Sequence, residues 1–181
     1  MDIIRVRDKT AIRPRILLTG PAWCGKTSVV RKVVSRFPGK VTGFYTREVQ
    51  ERGMRVGFEI VTLDGKMAYL AHAGLSGPHR VGKFGVSLEN LHRVALPSIY
   101  ASPGVDLVVV DEVNKMVCLS PRFIEALERL WTAPVAILVT LAEPAEGYGE
   151  QMKRKMNKML INVTPDNRDD LPGRILEMLS Q

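Results

Sequence analysis

The sequence predicts an α/β fold, a mostly parallel sheet covered by helices on both faces and interrupted by an antiparallel β excursion. Three observations predict it. Short, continuously apolar runs at residues 15–19, 106–111 and 135–141 read as strands buried on both faces. These runs alternate with segments whose apolar residues recur at helical spacing, the pattern that builds parallel sheets through crossover helices. Between residues 41 and 73 the period changes to two, around two turn signals.

In chain order, Arg15-Ile16-Leu17-Leu18-Thr19 is the first strand and Gly20-Pro21 the turn that ends it. Residues 26–36 form a helix with Val29, Val30, Val33 and Val34 on one side, stopped by Phe37-Pro38-Gly39. Residues 41–46 are β-like, Glu51-Arg52-Gly53 is a turn, residues 55–63 alternate, and Asp64-Gly65 is a hairpin signal before a return strand at 67–71. Residues 74–85 read as a Gly/Pro/His-rich loop. Ser87 is an N-cap for a helix through Leu88, Leu91, Val94 and Ala95. Residues 106–111 are a strand with an acidic end, Ser120-Pro121 starts a helix running to about Trp131, and residues 135–141 are a strand. A basic helix at 150–158, a strand at 159–164 and a helix at 170–179 complete the chain.

The 181 residues suit a single domain, with residues 1–14 as a basic leader and 41–73 as the β excursion. Hydrophobic residues at 45% and charged residues at 25% exclude a mainly disordered chain. The two cysteines, Cys24 and Cys118, exclude a disulfide scaffold and favour a reducing cytoplasm. The N-terminus carries charge where a signal peptide needs an apolar block, and the longest apolar stretch, 134–142, is too short to span a bilayer. No membrane association is expected. The net charge of +7 favours an anionic partner, but the basic groups at 5–15, 31–40 and 153–158 lack the interleaved aromatics of a single-strand-binding platform. Nucleic acid is compatible with this charge and not required by it. His72, His79 and His92 lack metal-ligand spacing, and Met152, Met156 and Met159 read as core fillers at helical spacing.

The string Gly20-Pro21-Ala22-Trp23-Cys24-Gly25-Lys26-Thr27 fits G-x-x-x-x-G-K-[ST] and lies between a strand and a helix, the context that chemistry requires. A glycine-permitted turn exposes successive backbone N–H groups to wrap phosphates, and the helix N-terminus, opening at Lys26, Thr27 and Ser28, adds its dipole. Lys26 is expected at the β and γ phosphates of a nucleotide, and the Thr27 hydroxyl on Mg²⁺. The second half of such a site is Val108-Val109-Val110-Asp111-Glu112, an apolar strand ending in two carboxylates. Asp111 is placed to hold the Mg²⁺, and Glu112 to deprotonate an attacking water, which makes hydrolysis the expected reaction.

Further strings join these: Gly43-Phe44-Tyr45-Thr46-Arg47-Glu48-Val49, Gly57-Phe58-Glu59-Ile60-Val61-Thr62-Leu63-Asp64-Gly65, Arg80-Val81-Gly82-Lys83-Phe84-Gly85-Val86, and Val163-Thr164-Pro165-Asp166-Asn167-Arg168-Asp169. With G-x-x-x-x-G-K-T and D-E-V-N-K-M, the sequence from about Arg15 to Leu179 resembles the thermophilic and cancer-related P-loop nucleoside-triphosphatase family. The resemblance implies a RecA-like α/β fold and slow, Mg²⁺-dependent hydrolysis of several nucleoside triphosphates, ATP and GTP included. The chain departs from the family pattern at several places. Trp23 and Cys24 stand where the family loop has Gly-Val, and Asn114 and Val117 where D-E-I-G-K-M-E has Gly and its last Glu. If the inner loop position requires positive φ, Trp23 carries a steric cost there; its ring packs over the loop or against the base. A family Arg before the last strand is displaced, with Lys155 or Arg154 as stand-ins.

Four other basic residues are candidates. Lys115 faces the phosphates or is a solvated loop lysine. Arg168 stacks on the base or supplies positive charge in cis, unless it belongs to a helix cap. Arg80 and Lys83 close over the nucleotide or lie on the surface. Cys24 is expected to have a lowered pKa from the helix dipole and to react with thiol reagents. The expected function is hydrolysis of the β–γ bond of nucleoside triphosphates with low base selectivity, by a monomer or small homo-oligomer. A nucleoside or nucleotide kinase and a nucleotide-gated RNA-binding module are the alternatives.

Overall fold

The computed structural model describes residues 13–156 and 159–180. Most of the predicted leader, and two residues of the basic group at 153–158, fall outside that description. Among the described residues nine strands form one sheet: β1 (Arg15–Thr19), β2 (Val41–Glu51), β3 (Met54–Thr62), β4 (Met67–His72), β5 (Arg80–Val81), β6 (Phe84–Val86), β7 (Leu107–Val113), β8 (Ala136–Leu141) and β9 (Leu160–Asn162). Their order is β5-β6-β4-β3-β2-β7-β8-β1-β9. From β2 to β9 every pairing is parallel, and from β2 to β5 every pairing is antiparallel. The predicted excursion is therefore a continuation of the same sheet, with β2 serving both halves. The predicted loop 74–85 contains one further correction, since β5 and the start of β6 form a small hairpin there.

The continuous apolar runs follow from burial on both faces. Ile16, Leu18, Leu107, Val109 and Leu138 point to one side. There they meet Val29, Val30 and Val33 of α1 (Lys26–Arg36) and Leu171 and Ile175 of α5 (Leu171–Leu179). Leu17, Val108, Val110, Ile137 and Val139 point to the other. They pack on α2 (residues 88–98) and on Phe123, Leu127 and Leu130 of α3 (Pro121–Thr132), with α4 (Tyr148–Lys155) contributing Met152. Each such side chain contributes about 1.5–3 kcal/mol on burial. In α2, a π-helical turn over Leu91–Ala95 separates two short α-helical turns.

Two serines close helix ends as the sequence predicts. Ser87 Oγ accepts from the Asn90 N–H, and Ser120 Oγ from the Phe123 N–H. The first turn of α1 has no such side-chain acceptor. Its N–H groups are left for something other than the protein's own side chains.

β8 lies between β1 and β7, so the loop after β1 and the acidic end of β7 come out at the same carboxyl edge, one strand apart. β2 is longer than its parallel partner requires. It pairs with β7 through residues 41–45 and then runs on with β3 beyond that edge. That overhang builds one wall of the site.

Candidate active site

The loop from Gly20 to Thr27 leads directly from β1 into α1. Gly25, at φ +110°, starts the helix, and a Cβ there would stand 3.1 Å from Arg168 Cδ. Glycine is needed both for the backbone sign and for this close approach. Trp23 is also left-handed, at φ +69°, so the inner position does require positive φ. The indole is 81% exposed, and nothing in the core compensates for the roughly 1–2 kcal/mol that an L-residue loses in that conformation.

Lys26 is buried. Its ammonium donates to Gly20 O at 2.7 Å and Pro21 O at 3.2 Å, and lies 3.4 Å from Glu112 Oε1. A buried cation is tolerated because carbonyls and a carboxylate surround it. Glu112 is mostly withdrawn from water, and that desolvation raises its pKa despite the opposing pull of Lys26.

Asp111 is 1% exposed. Thr140 Oγ1 donates to its Oδ1 at 2.5 Å, whereas its Oδ2 makes no hydrogen bond. Burial raises its pKa, against the stabilising influence of Thr140, Thr27 and Lys26. A buried, partly unpaired carboxylate beside a threonine hydroxyl is a poor arrangement by itself and a good one for a hard divalent cation, which oxygen donors hold. Mg²⁺ fits Asp111 and Thr27 on this ground.

A cavity of about 430 Å³ opens onto these groups. Ala22, Trp23, Gly25, Lys26, Thr27 and Ser28 line it from the loop and α1, with Glu112 from β7. Glu48, Arg55 and Phe58 line it from the overhanging β2–β3 hairpin. Across the hairpin Arg55 Nη1 lies 3.3 Å from Glu48 Oε2, with the guanidinium carbon 5.6 Å from the Phe58 ring centre. Nothing in the sequence alone marks these three as site residues. Glu48 and Phe58 lie in strings that carry the family resemblance and Arg55 does not, but only the overhanging hairpin brings all three to the loop.

Other candidates are placed differently. Arg168 is brought to the loop, its side chain lying across Gly25. Lys115 is not: its ammonium pairs with Glu146 at 2.7 Å, in an exposed position. Its loop turns away because Asn114 Oδ1 accepts from the N–H groups of Met116 and Val117 and starts a helical turn. Arg80 and Lys83 sit on the β5–β6 hairpin at the far edge of the sheet and do not line the cavity; Arg80 donates to Lys83 O and Lys83 lies over Phe84. Arg154 pairs with Glu150 in an exposed i,i+4 pair, and Lys155 lies beside Trp131 and Tyr148. The basic residue of α4 that reaches toward β1 is Lys153. It pairs at 3.0 Å with Glu143, whose other oxygen accepts from Thr19 Oγ1. Cys24 is buried and turned into the core with Ile16, Leu18 and Val29, so the expected reactive thiol lies beneath the loop.

Backbone donors at an uncapped helix start, a lysine folded among them and a buried acidic strand end one strand away define a class, the P-loop nucleotide-binding α/β domains. Comparison with known proteins narrows it. A family described as NTPase matches residues 15–176. Nucleoside-triphosphatase THEP1 of Thermotoga maritima is 35% identical over 166 residues, which is 91% of this chain and 95% of that protein. The cancer-related nucleoside-triphosphatase of Homo sapiens is 33% identical over 173 residues, 86% of this chain and 91% of that protein. The crystal structure of THEP1 from Aquifex aeolicus superimposes with a TM-score of 0.82 at 26% identity, covering 92% of this chain and 99% of that one. The solution structure of a human cancer-related nucleoside triphosphatase gives 0.71 at 32% identity, over 91% and 96%. The chain belongs to this NTPase family, whose named members are hydrolases. No helix among the described residues is long and apolar enough to cross a membrane.

Proposed function

We propose that the chain is a Mg²⁺-dependent nucleoside-triphosphatase that hydrolyses the β–γ bond of ATP, GTP and other nucleoside triphosphates with low base selectivity. The observation that carries the reading is the carboxylate pair at the end of β7, beside the loop. Asp111 keeps one buried oxygen without a hydrogen bond, and Glu112 holds Oε1 3.4 Å from the Lys26 ammonium. The names of the relatives support the same reaction.

Each residue has a distinct role. The uncapped N–H groups of α1 and the loop bind the phosphate chain. Lys26 neutralises the charge of its β and γ groups. Thr27 and Asp111 would hold Mg²⁺, which would offset the negative charge developing on the phosphates. Glu112 accepts a proton from a water whose oxygen joins the γ-phosphorus, and the bridging oxygen leaves with the diphosphate. Arg168, across Gly25, adds guanidinium charge around the same chain.

The test is phosphate release from each nucleoside triphosphate by wild type, Lys26→Ala and Glu112→Gln. Lys26→Ala is expected to lose binding. Glu112→Gln should still bind while turnover falls about 10²–10⁴-fold, the usual contribution of a positioned base. Turnover that survives in Glu112→Gln would remove Glu112 from its role. Phosphate release without any added acceptor separates this function from that of a kinase.

A further inference from the structure

The phosphate-binding groups occupy one part of the 430 Å³ cavity, and its remaining lining includes two aromatic rings, Trp23 from the loop and Phe58 from the hairpin. The two are supported in opposite ways. Phe58 is half-buried, fixed edge-on by Phe84 with ring centres 5.6 Å apart and planes at 81°. Trp23 is 81% exposed on a left-handed backbone that glycine would adopt more readily. An indole held there gains nothing from the core and costs conformational energy, so its use lies in what enters the cavity.

A phosphate chain gains little from an aromatic face, whereas a nucleobase stacks on it. From these residues we propose that Trp23 and Phe58 form the nucleobase subsite of this chain, gripping the base by its faces. The inference rests on the nucleotide-binding function above and adds a place and a chemistry for the base. It also supplies a physical reason for low base selectivity. Among the described residues no Asn or Gln lines the cavity, and the hairpin's own polar pair, Glu48 and Arg55, is engaged with itself. Reading base edges needs paired donors and acceptors of that kind, while every base has a π-face. Larger purine faces stack better than pyrimidines, so ATP and GTP should bind alike and more tightly than CTP and UTP.

The experiment is titration calorimetry of wild type, Trp23→Gly, Trp23→Phe and Phe58→Leu with Mg²⁺ and either ATP or inorganic tripolyphosphate. Tripolyphosphate carries the phosphate chain without the base. Trp23→Gly suits its φ, and Phe58→Leu keeps most of the apolar volume, so neither substitution threatens the fold. Trp23→Gly is expected to weaken ATP roughly 5- to 150-fold, the range for losing one base–aromatic stack, and to leave tripolyphosphate unchanged. Phe58→Leu should show the same selective loss, and Trp23→Phe should retain most of the ATP affinity. Equal weakening of both ligands by Trp23→Gly would make Trp23 a loop-shaping residue and overturn the proposal. So would unchanged ATP affinity in Trp23→Gly, or a Trp23→Phe as weak as Trp23→Gly. A wild type that binds neither ligand would overturn the nucleotide-binding function itself, and the subsite with it.

Discussion

Asp111→Asn should make the metal-free protein more stable while abolishing the Mg²⁺-dependent hydrolysis proposed above. The wild-type carboxylate is 1% exposed. Thr140 satisfies Oδ1, and Oδ2 makes no hydrogen bond. A buried polar atom in that position costs about 1–3 kcal/mol, and more when charged. Asparagine keeps the oxygen that accepts from Thr140, removes the charge, and turns an NH₂ toward the side of Thr27. The expected gain is about 1–3 kcal/mol, which for a domain of this size raises Tm by about 2–12 °C. The sign with pH follows from the raised pKa of Asp111. In the folded state this group holds its proton more tightly than in the unfolded chain, so protonation removes the penalty. The difference between variant and wild type should therefore be largest at high pH, begin to shrink above the ordinary carboxylate range as the raised folded-state value is crossed, and vanish below that range. The assay is thermal unfolding in a chelator without nucleotide, repeated with Mg²⁺ and a nucleoside triphosphate. There the wild type should gain stability that the variant does not. An Asp111→Asn protein that melts lower than wild type in chelator would refute the reasoning, because Oδ2 would then be well solvated or paired.

Other predictions address the fold and the thiols. Gly43→Ala places a Cβ 1.9 Å from Val109 O at φ +127°, where β2 pairs with Val109 of β7. It should lower stability by about 2–6 kcal/mol, adding backbone strain to overpacking, measured as a shift in the urea midpoint with unchanged slope. A thiol reagent should label native protein slowly at neutral pH and both cysteines promptly in denaturant. Cys24 is buried under the loop, and burial pushes the Cys118 thiol up to about 11. Rapid native labelling of Cys24 would mean that the loop opens frequently.

Local chemistry is legible in the amino-acid sequence. Gly25, Lys26 and Thr27 are neighbours in the chain, so their joint geometry follows from one turn and one helix start. Asp111 and Glu112 can be placed because a both-face-buried strand leaves its first polar residues at its end. Lys115 is harder: an Asn114 cap redirects its loop, and Glu146, thirty-one residues on, pairs with its ammonium. The basic residue of α4 that faces β1 is Lys153, while Arg154 and Lys155 face elsewhere. One residue is about 100° around a helix, and only packing fixes that rotation.

The sequence by itself determined the alternation of strands and helices, the loop at 20–27 between the first strand and helix, and the acidic strand end. Each depends on periodicity or on side chains a few positions apart. Tertiary structure decided what stands opposite the loop. β2 pairs with β7 over five residues and with β3 over a longer span, so the overhanging β2–β3 hairpin carries Glu48, Arg55 and Phe58 to the cavity that Trp23 also lines. The physical reason is that strand length and register are set by partners distant in sequence. The face that closes the site therefore exists only once the sheet has formed.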